Sequence, residues 1–286
     1  MTRIAHLSDL HLLEEDYRSR TGLARYRLAF LSTGVALDVE LRRQRALRAL
    51  KRARQLQVDH VLITGDLTED GTLGQYEALA EVLEDSGLPP ERITLVPGNH
   101  DAYSDALAWQ TALEGPLAAY AETSAEGAIT VCGDAVIKPV STVMDGQHFT
   151  RAAGIVRDRN LLDIRRLAAD GLTTGRTLIV AQHHAPLGIA NPVWNYFDGT
   201  IGAAPMRDLL AELPALHVVH GHVHHKTTVS LFGRPHAQVF SVESSRDHDH
   251  SLRVYRAVGG ELRAEAEVSP SFPLQGGSAP LAAAFA

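Results

Sequence analysis

The stretch ALHVVHGHVHH, residues 215–225, runs a short apolar segment straight into a cluster of imidazoles. Five of the nine residues from His217 to His225 are histidine. ALHVVHG (215–221) has the length and the Val and Leu content of a buried strand closed by glycine. A buried strand has no use for so many imidazoles. A metal site does, because neutral imidazole is the commonest protein metal ligand. His222 and His224, two residues apart, leave a strand end on the same side. The pair alone is a weak signal, so the other ligands have to come from elsewhere in the chain.

Four further runs read as strands: RIAHLS (3–8), VDHVLITG (58–65), RITLVPG (92–98) and RTLIVAQ (176–182). Each is brief, rich in Val, Ile or Leu, and bounded by turn residues or charges. Each also ends in polar residues that can bind a cation. The first is followed by Ser8-Asp9-Leu10-His11, the second by Gly65-Asp66-Leu67-Thr68-Glu69, the third by Gly98-Asn99-His100-Asp101 and the fourth by His183-His184-Ala185-Pro186. In α/β folds, sites form where loops converge at the carboxyl ends of strands. Seven candidate ligands result: Asp9, His11, Asp66, Asn99, His183, His222 and His224. One zinc takes about four, so the set suits two divalent ions, with a carboxylate as bridge. Imidazole, carboxylate and amide oxygen without thiolate fit Mn, Fe, Zn or Co. Gly65, Gly98 and Gly221 adjoin ligands, where close backbone approach is expected.

Between the strands lie amphipathic helices at 40–56, 74–87 and 160–171, the last with Asn160 as its N-cap and Gly171 as its stop. Residues 128–144 and 227–244 read as hairpins or meanders, so the expected fold is α/β with mixed rather than purely parallel sheets. Residues 1–268 form the expected domain, and the Pro-, Gly-, Ser- and Ala-rich 269–286 a tail or arm.

Composition excludes several classes. A formal net charge of −7 argues against general nucleic-acid binding, which relies on a cationic surface. With Cys132 as the only cysteine, no intrachain disulfide framework or thiolate cluster can form. The opening RIAHLSDLHL has no basic n-region or cleavage site, and no long uncharged apolar run is present. The expectation is therefore a cytoplasmic protein without a transmembrane segment. Homo-oligomerisation is left open.

Asp-x-His, Gly-Asp-x-x-Glu, Gly-Asn-His-Asp, His-His-x-Pro and Gly-His-x-His, in this order over residues 9–224, resemble the calcineurin-like metallophosphoesterases. That resemblance implies a four-layered α/β/β/α sandwich with two mixed sheets. It implies that Asp9, His11, Asp66 and His224 hold one metal, and that Asp66, Asn99, His183 and His222 hold a second. His100 would act on the phosphate or the leaving oxygen, with Asp101 orienting it. A metal-activated hydroxide would attack phosphorus. Glu69 stands where the family's purple acid phosphatases place a tyrosine, so no tyrosinate–iron colour is expected. The reading favours a phosphodiesterase. The alternatives are a phosphomonoesterase, a nucleotide-sugar-lipid pyrophosphatase and, in another class, a non-catalytic scaffold.

The remaining polar residues are read more plainly. His184 divides evenly between structure and substrate contact. His217, His225 and His236 are ordinary polar residues, and Arg246–His250 a solvated loop. The arginines of 40–56 form a solvated helix face. Residues 18–39 mix Arg25 and Arg27 with apolar side chains, which suits packing, a cap that contacts a small-molecule or lipid-linked phosphate ester, or peripheral contact with a membrane.

Overall fold

The computed structural model describes residues 1–231 and 237–266. His236 and the expected tail lie outside them. The first sheet has the order β13-β12-β1-β2-β3, with β1 at Thr2–Leu7, β2 at His60–Thr64, β3 at Ile93–Val96, β12 at Arg253–Val258 and β13 at Glu261–Ala264. Strands β1, β2 and β3 are parallel, and β12 is antiparallel to β1. The second sheet has the order β10-β11-β9-β7-β5-β4. Its strands are β4 (Thr130–Cys132), β5 (Ala135–Pro139), β7 (Thr177–Ala181), β9 (Leu216–His220), β10 (Thr228–Ser230) and β11 (Gln238–Ser241). Strands β5, β7, β9 and β11 are parallel, and the hairpin partners β4 and β10 are antiparallel. Both sheets are mixed, as expected.

Three apolar clusters hold the layers. Ile4, Leu62 and Val96 of the first sheet meet Ile137, Ile179 and Val219 of the second. Their strands are buried on both faces, which explains why the sequence runs are largely apolar instead of alternating. Behind the first sheet pack α2 (Val39–Gln55), through Ala46, Ala49, Leu50 and Ala53, and α3 (Leu73–Ser86), through Leu79, Val82 and Leu83. Behind the second pack α6 (Asp158–Ala169), through Leu161, Ile164 and Leu167, and α8 (Ala203–Glu212), through Met206, Leu209 and Leu210. Helix α3 ends on Gly87 at φ 67°, a left-handed C-cap. Two readings need correction. Helix α6 begins at Asp158 after an extended Arg157, and Asn160 already lies in its first turn with its N–H on the Arg157 carbonyl, so it is no N-cap. Arg42 of α2 is not solvated but buried, donating to Glu69 Oε2 (2.6 Å) and to the carbonyls of His11 (2.7 Å) and Ala36 (3.0 Å).

The other α-helices of the described residues are α1 (Gly22–Leu31), α4 (Ala108–Glu114), α5 (Ala121–Ser124) and α7 (Pro192–Asp198). A two-strand ladder pairs β6 (Gly154–Ile155) with β8 (Thr200–Ile201). Among the described residues, no helix is long and apolar enough to cross a membrane.

Candidate metal centre

The carboxyl ends of β1, β2 and β3 and those of β7 and β9 meet at one edge of the sandwich. The first sheet supplies Asp9, His11, Asp66, Asn99 and His100, and the second His183, His222 and His224. Potential ligand atoms of Asp9, His11 and His224 lie within 4.8 Å of one another, as do those of Asp9, Asp66 and His183, and those of His11, Asp66 and His100. Asp66 Oδ2 is central, 3.3 Å from His183 Nε2, 3.7 Å from His11 Nε2 and 3.9 Å from His100 Nε2.

The backbone is held in unusual conformations to bring this about. Asp9, His11, Asp66, His222 and His224 all have positive φ, between 46° and 69°. This left-handed region is sparsely populated outside glycine, and its cost persists only where the surroundings enforce it, typically at functional sites. Asp9 N–H donates to the Gly65 carbonyl and His11 N–H to that of Asp66, which locks the first two loops together. A Cβ on Gly98 would run into the Asp66 carboxylate, and one on Gly221 into Ser8 and Asp9. Only glycine permits these approaches.

Most of the imidazoles have one nitrogen committed to a protein acceptor and the other turned inward. His183 Nδ1–H donates to the Thr64 carbonyl (2.7 Å), which leaves Nε2 buried without a partner. His224 Nδ1 meets Asp247 Oδ2 (3.1 Å), with Nε2 3.3 Å from Asp9 Oδ1. His222 Nε2–H donates to the Asp198 carbonyl (3.0 Å), which leaves Nδ1. His100 Nδ1–H donates to the Glu69 carbonyl (2.6 Å), so Nε2 faces Asp66. The Asn99 amide donates from Nδ2 to Tyr103 Oη (2.6 Å), and its Oδ1 is buried and unpartnered, as is His11 Nε2. Orphaned buried acceptors around two carboxylates are costly unless something binds them. Their chemistry fits divalent cations, with the outer partners fixing ring orientation.

Electrostatics agree. Burial alone would raise Asp66, but the imidazoles of His183, His100 and His11 overcome it and hold the carboxylate well below its ordinary range. Burial likewise opposes ionisation of Asp9, yet the hydrogen bond to His224 and the charge of His183 bring it down to about 2.

Several expected roles sit differently. Asp101 does not touch the His100 ring. Its carboxylate accepts from the N–H groups of Gly98, Leu67 and Thr68 and from Thr68 Oγ1, tying the second and third loops together, and the Glu69 carbonyl orients His100 instead. His184 is buried with both nitrogens engaged, by Thr142 Oγ1 (2.7 Å) and the Ala152 carbonyl (2.8 Å), so it braces the 142–152 loop. Arg27 is buried against Asp70 (2.7 Å), while Arg25 is exposed. The 246–250 run is not simply solvated, because Arg246 N–H bonds the Asp9 carbonyl and Asp247 holds His224. Tyr103, Asp198 and Asp247 thus escaped sequence reading. None has a motif: Asp198 and Asp247 reach their histidines across the fold, and Tyr103 meets Asn99 from only four residues on.

A family model described as calcineurin-like phosphoesterase matches residues 2–226. Over 98 residues the chain is 28% identical to a probable cyclic nucleotide phosphodiesterase of Vesicomyosocius okutanii subsp. Calyptogena okutanii (strain HA), covering 34% of this chain and 33% of that protein. The match therefore spans about a third of that relative's length. A dimetal phosphatase from Danio rerio superposes with a TM-score of 0.62 at 12% identity, covering 92% of this chain and 98% of the other. Purple acid phosphatase PPD1 from yellow lupin (Lupinus luteus) seeds superposes with a TM-score of 0.56 at 15% identity, covering 94% and 46%. At these identities the superpositions establish the fold.

Proposed function

The chain belongs to the calcineurin-like phosphoesterase family and is a metal-dependent phosphoester hydrolase, and on that premise we propose that it is a dinuclear-metal phosphodiesterase. The observation that carries this reading is the convergence of orphaned His11 Nε2 and His183 Nε2 on the Asp9–Asp66 pair, with Asn99 Oδ1 also buried without a hydrogen-bond partner. Asp9, His11, Asp66 and His224 would hold one ion, and Asp66, Asn99, His183 and His222 the other, with Asp66 serving both. When bound, divalent ions supply Lewis acidity toward phosphoryl oxygens and a nucleophile at neutral pH; Mn, Fe, Zn and Co all suit this donor set.

The chain's own residues do the rest. His100, fixed through Nδ1 by the Glu69 carbonyl, presents Nε2 to the centre and hands a proton to the departing oxygen. Asp101 keeps the loops of Asp66 and His100 in register. Arg25, exposed on α1, is the proposed outer contact for an anionic substrate. The similarity to a probable cyclic nucleotide phosphodiesterase favours diesters over monoesters. The test is turnover by metal-reconstituted protein of bis(p-nitrophenyl) phosphate against p-nitrophenyl phosphate. A higher kcat/KM for the diester supports the reading, and a clear preference for the monoester refutes it.

A further inference from the structure

Two helices beside the metal centre turn their apolar sides outward. Helix α1 buries Arg27 and Leu28 and exposes Leu23, Tyr26 and Phe30. These three, spaced i, i+3 and i+7, share one face. Helix α7 buries no residue and exposes Val193, Trp194, Tyr196 and Phe197, with Trp194 63% accessible. Such helices are inverted relative to ordinary surface helices, which put the apolar stripe inside.

The two faces are joined. Tyr26 and Phe30 both pack edge-on against Phe149, at 6.2 and 5.5 Å between ring centroids. Two residues on, the Arg151 guanidinium lies 3.8 Å from the Tyr196 ring centre and donates from Nε to the Tyr196 carbonyl (2.8 Å). The aromatic surface therefore runs from α1 across the 148–151 loop to α7. It also flanks the metal centre. Asp198, closing α7, reaches His222, and Arg27 pairs with Asp70, next to the Glu69 carbonyl that holds His100.

A continuous exposed apolar face of this kind marks an interaction surface, and its charge narrows the partner. Helix α1 carries Arg25 and Arg27 and no acid. Arg27 is occupied by Asp70, whereas Arg25 is exposed and has no ion pair among the described residues. The 148–151 loop adds Arg151 and no carboxylate, and the one acid of α7, Asp198, is turned to His222. A chain of net charge −7 thus presents aromatic rings with free or ring-stacked guanidinium groups here. Apolar and aromatic side chains rimmed by arginine suit the boundary between acyl chains and anionic headgroups. We propose that this face docks on an anionic lipid bilayer, turning the metal centre toward the headgroup layer.

The test uses the full metal-loaded chain with vesicles of phosphatidylcholine, alone or mixed with phosphatidylglycerol. Co-sedimentation is expected with the phosphatidylglycerol vesicles, weakened by added salt and accompanied by a blue shift of Trp194 emission. Phe30→Ser and Trp194→Ser should each lower partitioning on the order of tenfold, because an aromatic side chain loses its apolar burial. Turnover of a soluble aryl diester by Trp194→Ser should stay unchanged, confirming the fold. The proposal is overturned if phosphatidylglycerol vesicles do not bind the protein at low salt, or if both variants bind as the wild type does. It is equally overturned if the wild type ignores vesicles and sediments as a dimer that these substitutions split, since the face would then belong to a second copy.

Discussion

Asn99 enters the centre through an amide whose two ends differ only by their neighbours. Tyr103 Oη takes the Nδ2 hydrogen, so Oδ1 is left without a hydrogen-bond partner and would be the atom offered to a cation. Tyr103→Phe frees the amide to rotate. Metal titration by calorimetry should then show one site weakened by about 10–100-fold, with turnover at saturating metal nearly unchanged; an unaltered titration would remove Tyr103 from the account. His100 and His222 are expected to separate chemistry from binding. His100→Ala should keep its metal and lose turnover by roughly 10²–10⁴, less for esters with acidic leaving groups. His222→Ala should lose metal. Elemental analysis of the two variants decides the matter, and equal metal loss would show that their roles were misassigned.

At the scale of elements, β2 and α2 show how far sequence reading reaches. The five ligand-bearing strands were legible to within a residue or two because strands buried on both faces are rich in Val, Ile and Leu rather than alternating with exposed polar residues. The helix faces of α2 and α3 were legible from their spacing. Pairing order was not: β12 comes late in the chain yet sits beside β1, which no local pattern announces. Nor was the burial of Arg42, whose sequence neighbours are as basic as those of a solvated helix face. Its guanidinium neutralises buried Glu69, whose Oε2 also lies 3.2 Å from His11 Nδ1, so Arg42→Ala leaves the carboxylate inside with the imidazole as its remaining partner. Urea unfolding should show a loss of about 3–5 kcal/mol, largely recovered when Glu69→Gln is added; a loss below about 1 kcal/mol would mean that the pair is in effect solvated.

His60, at the start of β2 and remote from the ligands, gives a pH test. Burial pushes its imidazole down from 6.5 to about 4, and it bonds Thr94 Oγ1 at 2.8 Å. The folded pKa lies below the unfolded one, so the unfolded chain takes up the proton first. The stability that His60 contributes is full above about pH 6.5 and is lost as pH drops toward about 4, by about 3 kcal/mol. His60→Gln should flatten this slope, and an identical slope in the variant would assign it to other groups.

On the scale of the whole molecule, the centre straddles two sheets. Asp9, Asp66 and Asn99 leave one, and His183, His222 and His224 the other, so bound ions would pin the sandwich at its edge. Free metal at about a hundredfold its Kd should add about 2.7 kcal/mol of stability, seen as a raised Tm that chelation reverses; a Tm indifferent to metal would contradict such a pin. The central claim is that two ions, held by seven side chains of this chain, are required for hydrolysis. The most direct measurement titrates Mn into chelator-stripped protein while following both bound metal, by elemental analysis, and hydrolysis of an aryl phosphodiester. The account predicts no turnover without metal and full turnover as two ions per chain are bound. Full turnover by metal-free protein, or with a single bound ion, would contradict it.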